Sequence, residues 1–550
     1  MFGAEKILRR KKDFVLNRGF VIYTIGRFLI VLALILIIPS TIALFEVKEQ
    51  SFPQFLFDEK IFGFIVAIIL SLLCGGVFIA AGKKQISGSG LREGFAIVTF
   101  GWMIFTLLGS LPLFFYFLSN IESKSLGQIF LSFTDANFEV MSGYTTTGAT
   151  ILKEIENLPR GILFWRSLTH WLGGMGIVTL AMSIFPAYGV AAYQMFRGEV
   201  PGPTTERLKP RLAQTAKILW GVYALLTLLE TIMLMAGKMS LFDSLSHAFG
   251  TMATGGFSTK NGSIGAYNST YIDIVVSIFM FLAGMNFMIH YNVMFTGNFG
   301  PIKKNSEFHF YTGVILTAIL ISTISLSVNG LGSKEQARRS YRNNPLTETE
   351  LVEKFETEQN KLNSWHSTLR FTAFQVLSFT TTTGYTTADF DVWPAFLRLM
   401  VVILMFFGGC AGSTGGGVKM VRVLVVLKTI LREIKTMIQP RLVSPIKIGG
   451  EAIEEKQVRN IVGFFALYIL IFIFFSIVMS LMIPDVTTAV TSVVSTINNI
   501  GPGLSGIGAV ENYAWMPIAG KWVLFLCMLI GRLEVYTVLI ALSPVWRKRL

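Results

Sequence analysis

Charge is what this chain has least of. Of its 550 residues, 15% are Asp, Glu, Lys or Arg, against about 25% in soluble domains. Hydrophobic residues make up 52%, and mean hydropathy is +0.59. That balance excludes a soluble globular domain, and apolar stretches long enough to cross a bilayer (about 20 residues) recur throughout. Acids are scarcer than bases, 33 to 47, leaving a net charge of +14. A nucleic-acid partner is excluded because the bases fall in loops between apolar segments, as the positive-inside rule expects, rather than on one face. The 47 phenylalanines suit helices bathed in lipid better than a base-stacking platform. Cysteine is nearly absent: Cys74, Cys410 and Cys527 each lie inside an apolar stretch, without disulfide or metal spacing, and read as packing residues. His247, His290, His309 and His366 are scattered singly, so no metal centre is expected. No set of acidic or histidine residues gathers at one membrane face, so the chain does not read as a membrane enzyme.

What is present is a recurring threonine–glycine stretch. The fullest copy is Thr380-Thr381-Thr382-Thr383-Gly384-Tyr385-Thr386-Thr387. Thr145-Thr146-Thr147-Gly148-Ala149 precedes it, with Met252-Ala253-Thr254-Gly255-Gly256-Phe257 between, and Asn498-Asn499-Ile500-Gly501-Pro502-Gly503 is a drifted fourth. Aligned on Gly148, Gly255, Gly384 and Gly501, each sits in the same context: a full span, a half-length amphipathic helix, the threonine–glycine stretch and a returning span. The half-helices are expected at 128–144, 241–252, 364–380 and 486–497. The corresponding spans are 95–118 and 162–185, 218–236 and 271–295, 310–328 and from 394, then 461–483 and 522–542. Two further spans, 20–45 and 61–81, open the chain; the first follows Lys6, Arg9, Arg10, Lys11 and Lys12 and is too long for a signal-peptide core.

The expected fold is therefore an all-α polytopic membrane protein with four span–pore-helix–filter–span repeats around a pseudo-fourfold pore, preceded by two extra transmembrane helices. Its units are 1–90 for the leading pair, then 91–200, 201–305, 306–440 and 441–550. The third carries an insertion at 332–363, whose Glu-rich second half reads as a solvated helix without assigned chemistry. Charge supports this topology. The loops placed inside hold Lys83 and Lys84, the segments 197–217 and 422–459, Lys303 and Lys304, and Arg547-Lys548-Arg549, all rich in bases. Both termini are then cytoplasmic.

A half-helix that stops within the membrane leaves its last carbonyls unpaired, and its dipole favours a cation there. Glycine permits the backbone angles that aim successive carbonyls inward. Four copies around one axis give rings of oxygens able to replace the water of a potassium ion. Each copy aligns one glycine rather than a glycine–aromatic–glycine run, so rejection of sodium is expected to be weaker than in potassium channels.

The returning spans share a second feature near mid-membrane: Gly173-Gly174-Met175-Gly176, Ala283-Gly284-Met285-Asn286, the stretch 408–417, and Gly531-Arg532. The first suits close helix packing. In the third, Gly408-Gly409-Cys410-Ala411-Gly412-Ser413-Thr414-Gly415-Gly416-Gly417, glycine is too dense for a regular helix. That span is expected to break into two pieces joined by a loop across the pore. The order Gly417-Val418-Lys419-Met420 lacks the Gly-Lys-Ser/Thr of a phosphate-binding loop. Arg532 lies about 15–21 Å of helix from either flanking tryptophan, Trp522 or Trp546. A mid-membrane arginine faces a cavity or a partner: here either a positive barrier on the pore axis, or an ion pair with Glu534 or Glu230. Asp135 and Glu139 read as structural partners of Arg166 or His170.

These motifs, with Phe164-Trp165-Arg166-Ser167-Leu168-Thr169-His170-Trp171-Leu172 leading into Gly173, and with Gly531-Arg532-Leu533-Glu534, resemble the TrkH-type potassium uptake subunits of the Trk/Ktr/HKT superfamily over about residues 90–545. The resemblance implies potassium uptake across a bacterial inner membrane by a homodimer with one pore per protomer. It also implies a cytosolic TrkA-like ring that binds ATP or NAD and controls opening; this chain itself has no cofactor. By the same resemblance, potassium is held by Thr146, Thr147, Gly148, Ala253, Thr254, Gly255, Thr382, Thr383, Gly384, Asn499, Ile500 and Gly501. The gate is Gly408, Gly409, Gly412, Ser413, Thr414, Gly415, Gly416 and Gly417 with Arg532. A sodium- or proton-coupled symporter on the same scaffold is the alternative.

Overall fold

The computed structural model describes residues 16–47, 54–82, 91–121, 125–176, 212–335, 338, 347–442 and 444–542. The expected basic segments 1–15, 83–90, 197–211 and 543–550, the second half of the span 162–185, and most of 336–346 lie outside them. Within the described residues the regular elements are helices, apart from one small hairpin, Lys447–Ile448 against Glu451–Ala452, and an isolated bridge between Phe407 and Val418.

The leading pair is α1 (Arg18–Glu46) and α2 (Phe62–Ala81). They pack closely because glycine faces glycine: Cβ atoms on Gly26 or Gly75 would stand about 3 Å from the opposite backbone. The first repeat comprises α3 (Leu91–Gly109), α4 (Leu111–Ser119), α5 (Leu126–Tyr144) and α6 (Arg160–Gly174). The second comprises α7 (Leu212–Ala236), α8 (Leu241–Met252), α9 (Thr270–Ala283) and α10 (Phe287–Thr296). In the third, α11 (Ser306–Asn329) is followed by the outer helix α12 (Glu348–Lys361), then α13 (Trp365–Thr380), α14 (Ala395–Met405) and α15 (Met420–Ile438). The fourth has α16 (Glu455–Ser480), α17 (Val486–Ile497), α18 (Ile518–Leu533) and α19 (Val535–Leu542).

The half-length helices α5, α8, α13 and α17 start alike because each has a side-chain oxygen at its N-cap. Ser125 accepts from the Gln128 N–H, Ser240 from Asp243, Ser364 from Ser367 and Asp485 from Thr488. Their last turns are buried despite many Ser, Thr and Asn residues, since the longer helices surround them. The outer faces of those longer helices expose Leu34, Ile37, Leu228, Ile232, Leu316 and Phe474, as a lipid boundary requires. Among the described residues, six helices are long and apolar enough to cross a bilayer, α3 and α4 together counting as one.

The returning segments differ from the uninterrupted spans expected at 271–295 and 522–542. Between α9 and α10 the chain bends by 103°, because Asn286 takes an extended conformation and caps the next helix through its side chain. Between α18 and α19 it bends by 115° at Glu534, which has φ +63°. The third break, expected from its glycines, lies between α14 and α15, and α6 ends at Gly174 within its own small-residue cluster. All four marked positions are helix ends.

Candidate ion pathway

The four central helices end in one hydrogen-bond pattern. In the first, Thr146 N–H donates to the Gly143 carbonyl (3.1 Å) and Thr147 N–H to that of Ser142 (2.8 Å). Thr254 and Gly255 repeat this with Thr251 and Gly250, Thr382 and Thr383 with Phe379 and Ser378, and Asn499 and Ile500 with Thr496 and Ser495. This is the Schellman arrangement, whose left-handed residue is usually glycine. Here it is Thr146 (φ 53°), Thr254 (φ 55°), Thr382 (φ 62°) and Asn499 (φ 56°). A β-branched residue in that conformation costs about 1–3 kcal/mol.

The pattern corrects the register in the second repeat. The glycines at positive φ two residues on are Gly148, Gly256, Gly384 and Gly501. The structural equivalents of Thr146-Thr147-Gly148 are therefore Thr254-Gly255-Gly256, one residue later than the expected Ala253-Thr254-Gly255. Ala253 is instead the helix C-cap, equivalent to Thr145 and Thr381.

These glycines bring the repeats together. A Cβ on Gly148 would run into the Gly255 carbonyl oxygen, one on Gly256 into that of Thr383, one on Gly384 into that of Ile500, and one on Gly501 into that of Thr147. The contacts close on themselves, so the Thr147, Gly255, Thr383 and Ile500 carbonyls form a ring, each against the preceding repeat's glycine. The Gly501 oxygen is engaged elsewhere, accepting from the Ser495 hydroxyl (2.5 Å) and the Tyr513 hydroxyl (2.6 Å). That expected ligand oxygen is therefore turned onto protein donors.

Outside the ring lies a cavity of about 110 Å³ lined by Gly148, Gly256, Gly384 and Gly501 among others. Its wall is braced by Glu139, which accepts from the Thr150 hydroxyl (2.9 Å), the Ile151 N–H (2.9 Å) and Arg166 (2.8 Å). Asp135 pairs with Lys521 (2.6 Å), not with Arg166 or His170. In the third repeat α12 is docked rather than fully solvated. Its Lys361 donates to the Thr387 carbonyl (3.0 Å), and its Glu358 accepts from the Asp389 N–H (3.1 Å). Burial pushes the Glu358 carboxyl above the usual range, against the opposing pull of Lys361.

Inside the ring lies a second cavity of about 70 Å³, bordered by the loop 408–417 and by Lys419, Arg422, Arg532 and Glu534. The loop runs directly beneath the helix ends. The Thr414 hydroxyl donates to the Met252 carbonyl (2.9 Å), and Gly416 N–H donates to the Thr382 hydroxyl (2.7 Å). Cys410 N–H donates to the Gly284 carbonyl (2.8 Å), using the break between α9 and α10. Glu307 at the start of α11 accepts from Ala411 N–H (2.7 Å) and Val421 N–H (3.0 Å), fixing both ends of the loop. Glu307 went unrecognised in the sequence because it stands alone in a polar helix start.

Arg532 reaches across this cavity. It donates to the Thr414 carbonyl (2.8 Å) and to those of Gly173 (2.5 Å) and Gly174 (2.7 Å) at the end of α6. Among the described residues Glu534 pairs with Arg422 (2.7 Å), and Glu230 lies buried.

Helical spans around a ring of carbonyls at four helix C-termini, with a loop and a half-buried arginine beneath, define a polytopic membrane protein of the transporter class. The chain belongs to the TrkH family, described as a cation transport protein, which matches residues 60–545. It is 36% identical over 487 residues to the Trk system potassium uptake protein TrkH of Escherichia coli K12, covering 88% of this chain and 92% of that one. With TrkH of Vibrio parahaemolyticus it is 32% identical over 531 residues, 96% and 99% of the two chains. The crystal structure of the potassium transporter TrkH from Vibrio parahaemolyticus superposes with a TM-score of 0.78 at 30% identity, covering 97% of this chain and all of the other.

Proposed function

We propose that the chain carries potassium across the inner membrane of a bacterium through the ring of Thr147, Gly255, Thr383 and Ile500 carbonyls. The observation that carries this reading is the cyclic contact of each carbonyl with the neighbouring repeat's glycine. Four helix C-termini concentrate negative potential on that ring, and preformed oxygens substitute for water around a weakly hydrated cation. The side chains of Thr146, Thr254, Thr382 and Asn499 form the inner level of the same filter, and the Gly148, Gly256 and Gly384 carbonyls extend it outward. Gly408, Gly409, Gly412, Ser413, Thr414, Gly415, Gly416 and Gly417 form the gate, closed on Arg532. The relatives are named as members of a Trk system, which supports regulation by a cytosolic TrkA-like partner, and ATP or NAD binds there rather than on this chain. The working unit is a homodimer with one ion path per protomer.

Rubidium uptake into liposomes tests the reading. Potassium is expected to compete at roughly tenfold lower concentration than sodium, a modest ratio because each repeat contributes few carbonyl levels. Equal competition by sodium, or no flux from well-folded protein with its cytosolic partner, contradicts it.

A further inference from the structure

Below the carbonyl ring the four left-handed residues are not equivalent. Thr146 Oγ1 and Asn499 Oδ1 are buried and have no hydrogen-bond partner. The Asn499 amide is oriented by its surroundings. Its Nδ2 donates to the Met528 carbonyl (3.0 Å) and to Thr147 Oγ1 (3.0 Å). A carbonyl can only accept, so the nitrogen faces it and Oδ1 turns the other way. Thr254 gives its hydroxyl proton to the Ala253 carbonyl (2.5 Å). Thr382 receives a bond from the intramembrane loop, with Gly416 N–H donating to its Oγ1 at 2.7 Å.

We propose that the Gly416–Thr382 bond is the latch by which the intramembrane loop closes the filter, and that it works by taking a potassium ligand out of the innermost site. The inference rests on reading the four repeats as a potassium filter. Holding a β-branched residue in a left-handed conformation is costly, and a hydroxyl placed at the filter base is what that conformation delivers. With the loop in place, a lone pair of Thr382 Oγ1 is committed to an N–H, whose positive end points at the site. The Met252 carbonyl at the end of α8 is likewise committed to the Thr414 hydroxyl. The loop thus occupies oxygens of the second and third repeats, while Thr146 Oγ1 and Asn499 Oδ1 of the first and fourth stay free. When the loop withdraws, Thr382 Oγ1 joins those two oxygens and the inner site becomes whole. Gate and site are then one equilibrium, and an ion at the inner site competes directly with the closed loop.

The test is rubidium uptake by purified protein in liposomes without a cytosolic partner, comparing Thr382→Val, Thr382→Ser, Thr146→Val and Gly416→Ala with wild type. Thr382→Val keeps the side chain's shape but removes both the latch's acceptor and the inner ligand, so it frees the loop without completing the site; it is expected to raise uptake less than Gly416→Ala does and to weaken rubidium–sodium discrimination. Thr382→Ser keeps both the acceptor and the ligand oxygen and is expected to recover the rubidium–sodium discrimination that Thr382→Val loses. Thr146→Val removes a hydroxyl from the same level without touching the loop and is expected not to raise uptake. Gly416→Ala attacks the latch from the other side and leaves the Thr382 oxygen in place, because its Cβ would stand 2.5 Å from the Asn498 carbonyl oxygen; it is expected to raise uptake about five- to tenfold, the shift that losing one buried hydrogen bond produces. If Thr382→Val does not purify as folded protein, the Gly416→Ala result decides. Wild-type uptake in a folded Gly416→Ala protein overturns the latch, as does an equal effect of Thr382→Val and Thr146→Val. In either case, altered rubidium–sodium discrimination in both threonine variants leaves the filter reading standing. No change of flux or discrimination in any variant removes the filter reading as well.

Discussion

Arg532→Ala is expected to raise potassium flux at least about tenfold. The guanidinium stands in the cavity beneath the carbonyl ring and binds the Thr414 carbonyl of the loop and the Gly173 and Gly174 carbonyls of α6. At an effective dielectric of about 20, a unit charge a few ångström away opposes a passing cation by about 2–4 kcal/mol, and each 1.4 kcal/mol or so of barrier is tenfold in rate. The same side chain also ties the loop to the first repeat, so its removal loosens the gate. Arg532→Lys separates the two contributions: it keeps the charge but cannot fork between carbonyls on two elements. Its flux is expected to fall between wild type and alanine. Stopped-flow flux in liposomes makes the measurement, and an alanine variant no faster than wild type would return Arg532 to a purely structural role.

The second large effect is expected at the ring glycines. Gly384→Ala forces a side chain into φ +81° and drives its Cβ into the Ile500 carbonyl oxygen, one of the four ring oxygens. Displacing such a ligand by about 1 Å is the kind of error that costs about a hundredfold, so potassium flux should fall by at least about that factor. Gly256→Ala should behave alike, since its Cβ meets the Thr383 oxygen. At Gly255 the added carbon would meet the His170 ring instead, and a smaller loss of flux is expected. A larger loss at Gly255 than at Gly256 would show that the register assigned to the second repeat is wrong.

That register marks where the sequence stopped being legible. Two of the four half-length helices, Leu241–Met252 and Val486–Ile497, begin and end where the sequence places them, and the other two start within two residues of expectation. Ser or Asp caps one end of each and a left-handed threonine or asparagine stands two residues past the other, so local chemistry specifies both boundaries. In the second repeat two glycines are adjacent, and composition does not say which adopts positive φ; the helix-end hydrogen bonds do. The bends at Asn286 and Glu534 were hidden because the stretches around them, a few polar residues apart, are apolar enough to read as single spans. The Gly501 oxygen and Glu307 escaped for a different reason. Their partners, Tyr513 in one case and the Ala411 and Val421 amides in the other, are brought together only by the fold. By contrast, the mid-membrane position of Arg532 and the glycine density of 408–417 could be read directly, because each violates what a lipid-embedded helix tolerates.

The most direct test of the account is to locate the ion. Protein prepared in thallium, an electron-dense potassium mimic, should show a difference-density peak centred between the Thr147, Gly255, Thr383 and Ile500 carbonyl oxygens, weakened by excess potassium and much less by sodium. Thallium density confined to other positions, with none at that ring, would contradict the central claim.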